Sequence, residues 1–128
     1  MAIRKAKLDA TNSIAVLLEQ LGYPCSMDFL KEKLQKIINH SDEVLVVSEE
    51  NNLVIAVMSI HFIPQLALAG DFARISYFSV FDSVRSQGIG RQMEEYCTQI
   101  ARERNCDRIE VHCNERRSEA HRFYFRQG

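Results

Sequence analysis

Val80-Phe81-Asp82-Ser83-Val84-Arg85-Ser86-Gln87-Gly88-Ile89-Gly90-Arg91 joins two different periodicities, and the fold is read from that junction. Before it, in Phe72 to Phe81, Ile75, Tyr77 and Ser79 alternate with Ser76, Phe78 and Val80, the pattern of a strand. After it, Ile89, Met93, Tyr96 and Ile100 recur at helical spacing, with Glu94, Glu95, Gln99, Arg102 and Glu103 facing outward. This predicts a helix from Gly88 or Gly90 to Asn105. Such a helix start leaves backbone N–H groups unpaired and carries the positive end of the helix dipole, so it attracts anions. Gly88 and Gly90 lack Cβ atoms, which lets phosphate oxygens approach the amides, and Arg85 or Arg91 can add a charge-assisted contact. The same glycines also suit a tight turn and close helix–sheet packing, and the turn alone does not separate the two readings. No Gly-Lys-Ser/Thr follows, so this is not a P-loop, and the preceding elements fit a dinucleotide-binding βαβ unit poorly.

Working outward, Ile3 to Ala6 reads as a short strand, with Asp9 and Thr11 as helix-starting residues. Ile14, Leu17, Leu18 and Leu21 share one helical face, which Gly22-Tyr23-Pro24 ends. Ser26 can cap a second helix with Leu30, Leu34, Ile37 and Ile38 on its apolar face. Val44 to Ser48 and Leu53 to Ile63 read as strands around the polar turn Glu50-Asn51-Asn52. The second run is too continuously apolar for a one-sided sheet and belongs at the centre, covered on both faces. Pro64 to Asp71 reads as a loop, Arg108 to Cys113 as a further strand, and Ser118-Glu119 as the start of a last helix carrying Ala120, Phe123 and Tyr124. The predicted order is βααβββαβα, a layered α/β domain around a mostly antiparallel sheet, with residues 1–128 forming one domain.

Bulk properties exclude several classes. The 16 Lys+Arg against 17 Asp+Glu leave a formal charge of -1, which gives no drive toward nucleic acid or anionic membrane. Basic residues gather between Arg102 and Arg126, a grouping that suits a solvated face or a small anionic ligand. No apolar run approaches the ~20 residues of a membrane span, and the N-terminus lacks a signal peptide's apolar core. Cys25, Cys97, Cys106 and Cys113 form no C-x-x-C pair and are expected to be reduced thiols, several of them buried, in a cytoplasmic protein.

Two later features select between the readings of the glycine turn: Asn114, and Ala120-His121-Arg122-Phe123-Tyr124-Phe125-Arg126-Gln127-Gly128. Arg85-x-x-Gly88-x-Gly90 resembles the R/Q-x-x-G-x-G/A signature of the GNAT acetyltransferases, and the later segment resembles their N-x(5)-A-x-x-F-Y-x-x-x-G signature. The element order matches as well, so the resemblance covers essentially the whole chain. Within the family, the His121–Tyr124 segment looks most like the small-molecule amine acetyltransferases, the aminoalkylphosphonate and aminoglycoside enzymes among them. The resemblance implies acetyl-CoA as co-substrate and a small primary amine as acceptor; His112, Cys113 and His121 lack the spacing of a ligand pair, so no metal is expected. It implies that Arg85 and the amides around Gln87, Gly88, Ile89, Gly90 and Arg91 hold the pyrophosphate. The strand edge at Phe78 and Val80 would pair with the pantetheine arm, as would Asn114, and Tyr124 would protonate the leaving thiolate. A phenol with pKa near 10 keeps its proton at neutral pH and can do so. A backbone N–H near Val80 would stabilise the oxyanion.

The chain departs from the family at three places. Asp82 and Ser86 stand where proline and glycine are common. The glutamate base often found before the cradle is missing, which leaves His61, Glu110 and His112 as candidates, or an amine that arrives neutral. His61 lies in an apolar strand, where a hydrogen-bonded structural histidine is the simpler reading. Arg116 and Arg117 suit a solvated loop or the coenzyme's ribose phosphate. Relatives also continue past the motif's glycine into a hairpin, whereas this sequence stops at Gly128. The strand Arg108–Cys113 is therefore expected to lie at an open edge, covered by a partner chain in a homodimer unless the sequence is a truncation. A catalytically weak acyl-CoA-binding module and an acetyltransferase acting on a protein amine remain the alternatives.

Overall fold

β-Branched and large apolar residues fill the run from Leu53 to Ile63, and it forms the long central strand of the protein. The computed structural model describes residues 2–24, 27–111 and 121–124, with the backbone alone at 85–87 and 121–124. Along the chain come β1 (Ala2–Lys5), a 3-10 turn (Leu8–Ala10), α1 (Thr11–Gln20), α2 (Met27–Ile38), β2 (Glu43–Glu50), β3 (Leu53–Ile63) and β4 (Phe72–Val80). A second 3-10 turn (Asp82–Gln87), α3 (Ile89–Glu103), β5 (Arg108–Val111) and β6 (His121–Tyr124) follow. The six strands lie side by side in chain order. Neighbours are antiparallel except β4 and β5, which run parallel with α3 as their crossover. Asn51 and Asn52 make the β2–β3 hairpin with φ of 52° and 66°, the left-handed pair that a two-residue turn needs.

The sheet is covered on both faces. Val46, Met58, Ile60, Ala73 and Ile75 pack with Ile89, Met93, Cys97 and Ala101, which step along one side of α3. On the other face Leu45, Val47 and Val57 meet Ile14 and Leu17 of α1 and Leu30 and Leu34 of α2. Burying each large aliphatic side chain contributes about 1.5–3 kcal/mol, so α3 is held to the sheet chiefly by this face. Cys97 and Cys106 are buried in the same cluster as α3.

Two features differ from the sequence reading. The alternation in β4 is broken: Ile75 pairs with Ile60 and Tyr77 with Ser59, leaving Ser76 as an extra, bulged residue. Ile75 therefore faces α3, whereas Tyr77 lines a pocket beside α1 and α2. The end of the described chain differs too. His121–Tyr124, expected in a helix, pairs antiparallel with β5, adding β6 beyond the predicted order. A short helix is costly to nucleate, while an aromatic-containing extended segment gains ladder hydrogen bonds along an otherwise open edge. Arg108–Val111 consequently has a neighbour on each side, which removes the reason for expecting a partner chain there.

Candidate active site

The turn that opens α3 separates its two glycines. Gly88 takes φ of 79°, a left-handed conformation that ends the 3-10 turn and caps α3, so the chain's geometry by itself calls for glycine there. Gly90 has no such need. A Cβ at Gly90 would come no closer than 3.5 Å to Phe78 Cζ, an ordinary contact, and its φ is not positive. Gly88, as the N-cap, brings no side chain to the first amides of α3. Arg91 is solvent-facing and lies 3.6 Å from Glu95, one turn along the helix.

β4 leads into this turn. Among the described residues it pairs with β5 from Phe72 to Ile75 and with β3 along its whole length to Val80, with Ser76 bulged between Ile75 and Tyr77. Gln20, at the end of α1, fastens the far end of β4: its Nε2 donates to Ser79 Oγ (3.2 Å) and to the Val80 carbonyl (3.1 Å). Its Oε1 accepts from the Asp82 amide (3.0 Å), and Ser79 Oγ donates to the Leu17 carbonyl (2.9 Å). One lone pair of the Val80 carbonyl is thus engaged within the chain.

On the α1/α2 side, His61 of β3 lies between two partners. Nδ1 meets Glu43 Oε2 on β2, and Nε2 meets the hydroxyl of Ser76. With the carboxylate accepting from Nδ1–H, the Nε2 lone pair faces Ser76, the tautomer of a proton acceptor. The His61 and Glu43 side chains keep 26% and 25% of their surface exposed, so solvent reaches the pair. Next to them is a pocket of about 330 Å³ lined by His61, Ser59, Tyr77 and Tyr23 together with apolar residues of α1 and α2. The rings of Tyr23 and Tyr77 meet edge to face at 5.4 Å.

Comparison with known proteins accounts for this arrangement. The profile of the Acetyltransferase (GNAT) family matches residues 11–128. The chain belongs to the GNAT acetyltransferase family. It is 26% identical over 132 residues to an aminoalkylphosphonate N-acetyltransferase of Salmonella typhimurium, an alignment covering 98% of this chain and 82% of that protein. A GNAT family acetyltransferase of Staphylococcus aureus superposes with a TM-score of 0.83 at 22% identity, covering 99% of this chain and 96% of the other. Glucosamine-6-phosphate N-acetyltransferase of Arabidopsis thaliana superposes at 0.80 with 20% identity, covering 88% and 81%. These superpositions speak to the fold; the acceptor is a separate question.

The GNAT motif residues are placed unevenly. Gly88, Ile89, Gly90 and Arg91 gather at the head of α3, with Phe78 packed beneath Gly90 and Val80 at the end of β4. Arg85 and Gln87 belong to the 3-10 turn before them, described as backbone. Asn114 and His112 lie outside the described residues, as do Cys25, Ser26 and Cys113. Tyr124 falls on β6 in register with Arg108, which itself pairs with Phe72 at the opposite end of β4 from the cradle. Glu110 is buried, with Arg74 at 3.2 Å and Arg108 at 3.3 Å. Its carboxylate balances two guanidiniums, which leaves it ill placed to collect a substrate proton. Sequence reading missed the contributions of Gln20, Glu43 and Ser76. The only local hint of the bulge was Ser76 interrupting an apolar run, and nothing local marked Glu43 as the partner of His61.

Proposed function

We propose that this GNAT domain transfers the acetyl group of acetyl-CoA to the primary amine of a small molecule. One observation carries the reading: β4 leads through a 3-10 turn into an α3 N-terminus whose Gly90 is required by neither turn nor packing among the described residues. A glycine without an internal reason is what close approach by an external phosphate calls for. The amides from Gly88 to Arg91 would hold the pyrophosphate, with Arg85 and Gln87 alongside and Asn114 on the pantetheine arm. The outer edge of β4 around Phe78 and Val80 would take that arm as an added strand.

The chemistry is direct attack. The amine lone pair closes on the thioester carbonyl, a backbone N–H near the end of β4 stabilises the oxyanion, and the thiolate leaves. The motif would have Tyr124 supply its proton, but β6 sets that residue level with Phe72, at the far end of β4, so Tyr124→Phe, read through kcat, decides between Tyr124 and the attacking amine as the source of that proton. The decisive experiment combines an acetyl-CoA titration by calorimetry with thiol release across an amine panel. The reading expects saturable binding and amine-dependent release. Binding with no release from any small amine favours a coenzyme-binding module, or a protein amine if an acetylated protein substrate is found. No uptake of coenzyme defeats the cradle.

A further inference from the structure

The pocket between α1, α2 and the β2–β4 face adjoins the bulge of β4, since His61 in its wall meets the Ser76 hydroxyl and Tyr77 in its wall follows Ser76 directly. Resting on the acetyl-transfer reading, we propose that this pocket receives the acceptor and that the acceptor is a primary amine borne on an apolar alkyl or aryl body. His61 takes the amine's proton through Ser76.

The lining argues for the apolar body. Aliphatic and phenyl side chains, Ile14, Leu18, Phe29, Leu30 and Val57 among them, make most of the described wall, and about 330 Å³ lies at the small end of ligand pockets. Lys33 is the one Lys or Arg among its described lining residues. Arg74, the guanidinium paired in register with His61, is engaged with Glu110. A phosphonate or phosphate entering here would lose water and gain one ammonium partner from the described wall, a poor exchange. A polyhydroxylated sugar would find few hydrogen-bonding groups. An ammonium, by contrast, meets the rings of Tyr23 and Tyr77, with the Glu43 carboxylate on the far side of His61.

The proton path follows from the hydrogen-bonded chain. A primary amine arrives mostly as ammonium at neutral pH. One proton passes to Ser76 Oγ as Ser76 gives its own to His61 Nε2, and Glu43 steadies the imidazolium. The freed lone pair forms the N–C bond as the C–S bond breaks, the second amine proton ends on the thiolate, and His61 returns its proton to solvent. Glu43 acts through His61 and is a positioning residue. The charged and titratable groups around His61 are Glu43 on β2, Arg74 and Tyr77 on β4, Lys33 on α2 and Tyr23 after α1.

The test measures thiol release at saturating acetyl-CoA with 2-phenylethylamine and hexylamine against aminoethylphosphonate and an aminoglycoside. The apolar amines are expected to lead by at least about tenfold in kcat/KM, the scale of a few buried methylenes. Leu18→Trp, which fills the pocket, should depress their kcat/KM about 100-fold while leaving the acetyl-CoA Kd unchanged. Phe29→Ala, at a half-exposed position, should raise their KM without touching the fold. His61→Gln should lower kcat by about 10²–10⁴ at neutral pH and shift the rate profile alkaline, where the amine arrives neutral. Preference for the phosphonate or the aminoglycoside, or indifference to both pocket variants, overturns the inference while acetyl transfer stands. Turnover of no amine overturns both.

Discussion

The two faces of the sheet solve different problems with the same packing chemistry. On the α3 face the helix lies flat on β3–β5, its buried residues stepping from Ile89 to Ala101 without interruption. What that face would offer a ligand on the proposed reading is main chain: the amides at the head of α3 and the end of β4. On the α1/α2 face Leu30 and Leu34 of α2 join Ile14 and Leu17 of α1 in the core, yet a pocket walled by side chains lies between the two helices and the sheet. Main-chain recognition suits a moiety that never changes, because amides cannot mutate. Side-chain recognition suits a partner that differs between relatives.

The largest expected contrast between the faces is alkaline stability. Burial, with smaller help from Cys106 and Glu94, pushes the Cys97 thiol up to about 12 from its ordinary 9.0. Cys106, desolvated and facing Asp71, is pushed to about 11, and both belong to the α3 face. An unfolded chain releases each proton near pH 9 while the folded one keeps it. The folded state therefore holds the extra protons above pH 9, and stability falls as pH rises toward 11, after being full below 9. The slope is about 1.4 kcal/mol per pH unit per thiol. Denaturant midpoints between pH 8 and 11 should fall accordingly, and Cys97→Ala should remove about half of the dependence. A flat profile would show that these thiols are solvated.

Next in size is the link between the faces. Gln20→Ala removes the bonds to Ser79, Val80 and Asp82 that tie α1 to the end of β4, at an expected cost of about 1–3 kcal/mol. Because Asp82 begins the turn before the cradle, acetyl-CoA affinity should fall several-fold as well. Loss of stability with unchanged affinity would separate the two regions more sharply than drawn here.

This division also explains what could be read in advance. The central position of Leu53–Ile63, the helix from Ile89 and the glycine turn are local patterns, and each lies where periodicity put it. The family signatures were legible for the same reason, since main-chain cradles need glycine at fixed spacing. The bulge at Ser76 was not legible, because pairing register is decided jointly by β3 and β4. Nor was the Glu43–His61–Ser76 chain, whose members sit on separate strands and meet only when the sheet forms. The segment His121–Tyr124 was misread because its helical signal is short, and an adjacent strand edge can outweigh it.

The two glycines give the smallest but cleanest separation. Gly88→Ala places a side chain at φ of 79° and should cost about 1–2 kcal/mol of stability whatever the coenzyme does. Gly90→Ala should act in the opposite sense on the fold. Gly90 is helical, its added methyl would meet Phe78 at an ordinary 3.5 Å, and alanine gains up to about 1 kcal/mol over glycine within a helix. Thermal unfolding of the free protein should therefore rise by a few degrees. If the amides here grip a diphosphate, the same methyl intrudes on it, and calorimetry should show acetyl-CoA affinity falling tenfold or more. A variant more stable yet weaker in binding has no explanation in turn geometry or helix packing, so it isolates the ligand as the reason for this glycine. Equal binding by Gly90→Ala would return the turn to a purely structural role and leave the α3 face without its claimed function.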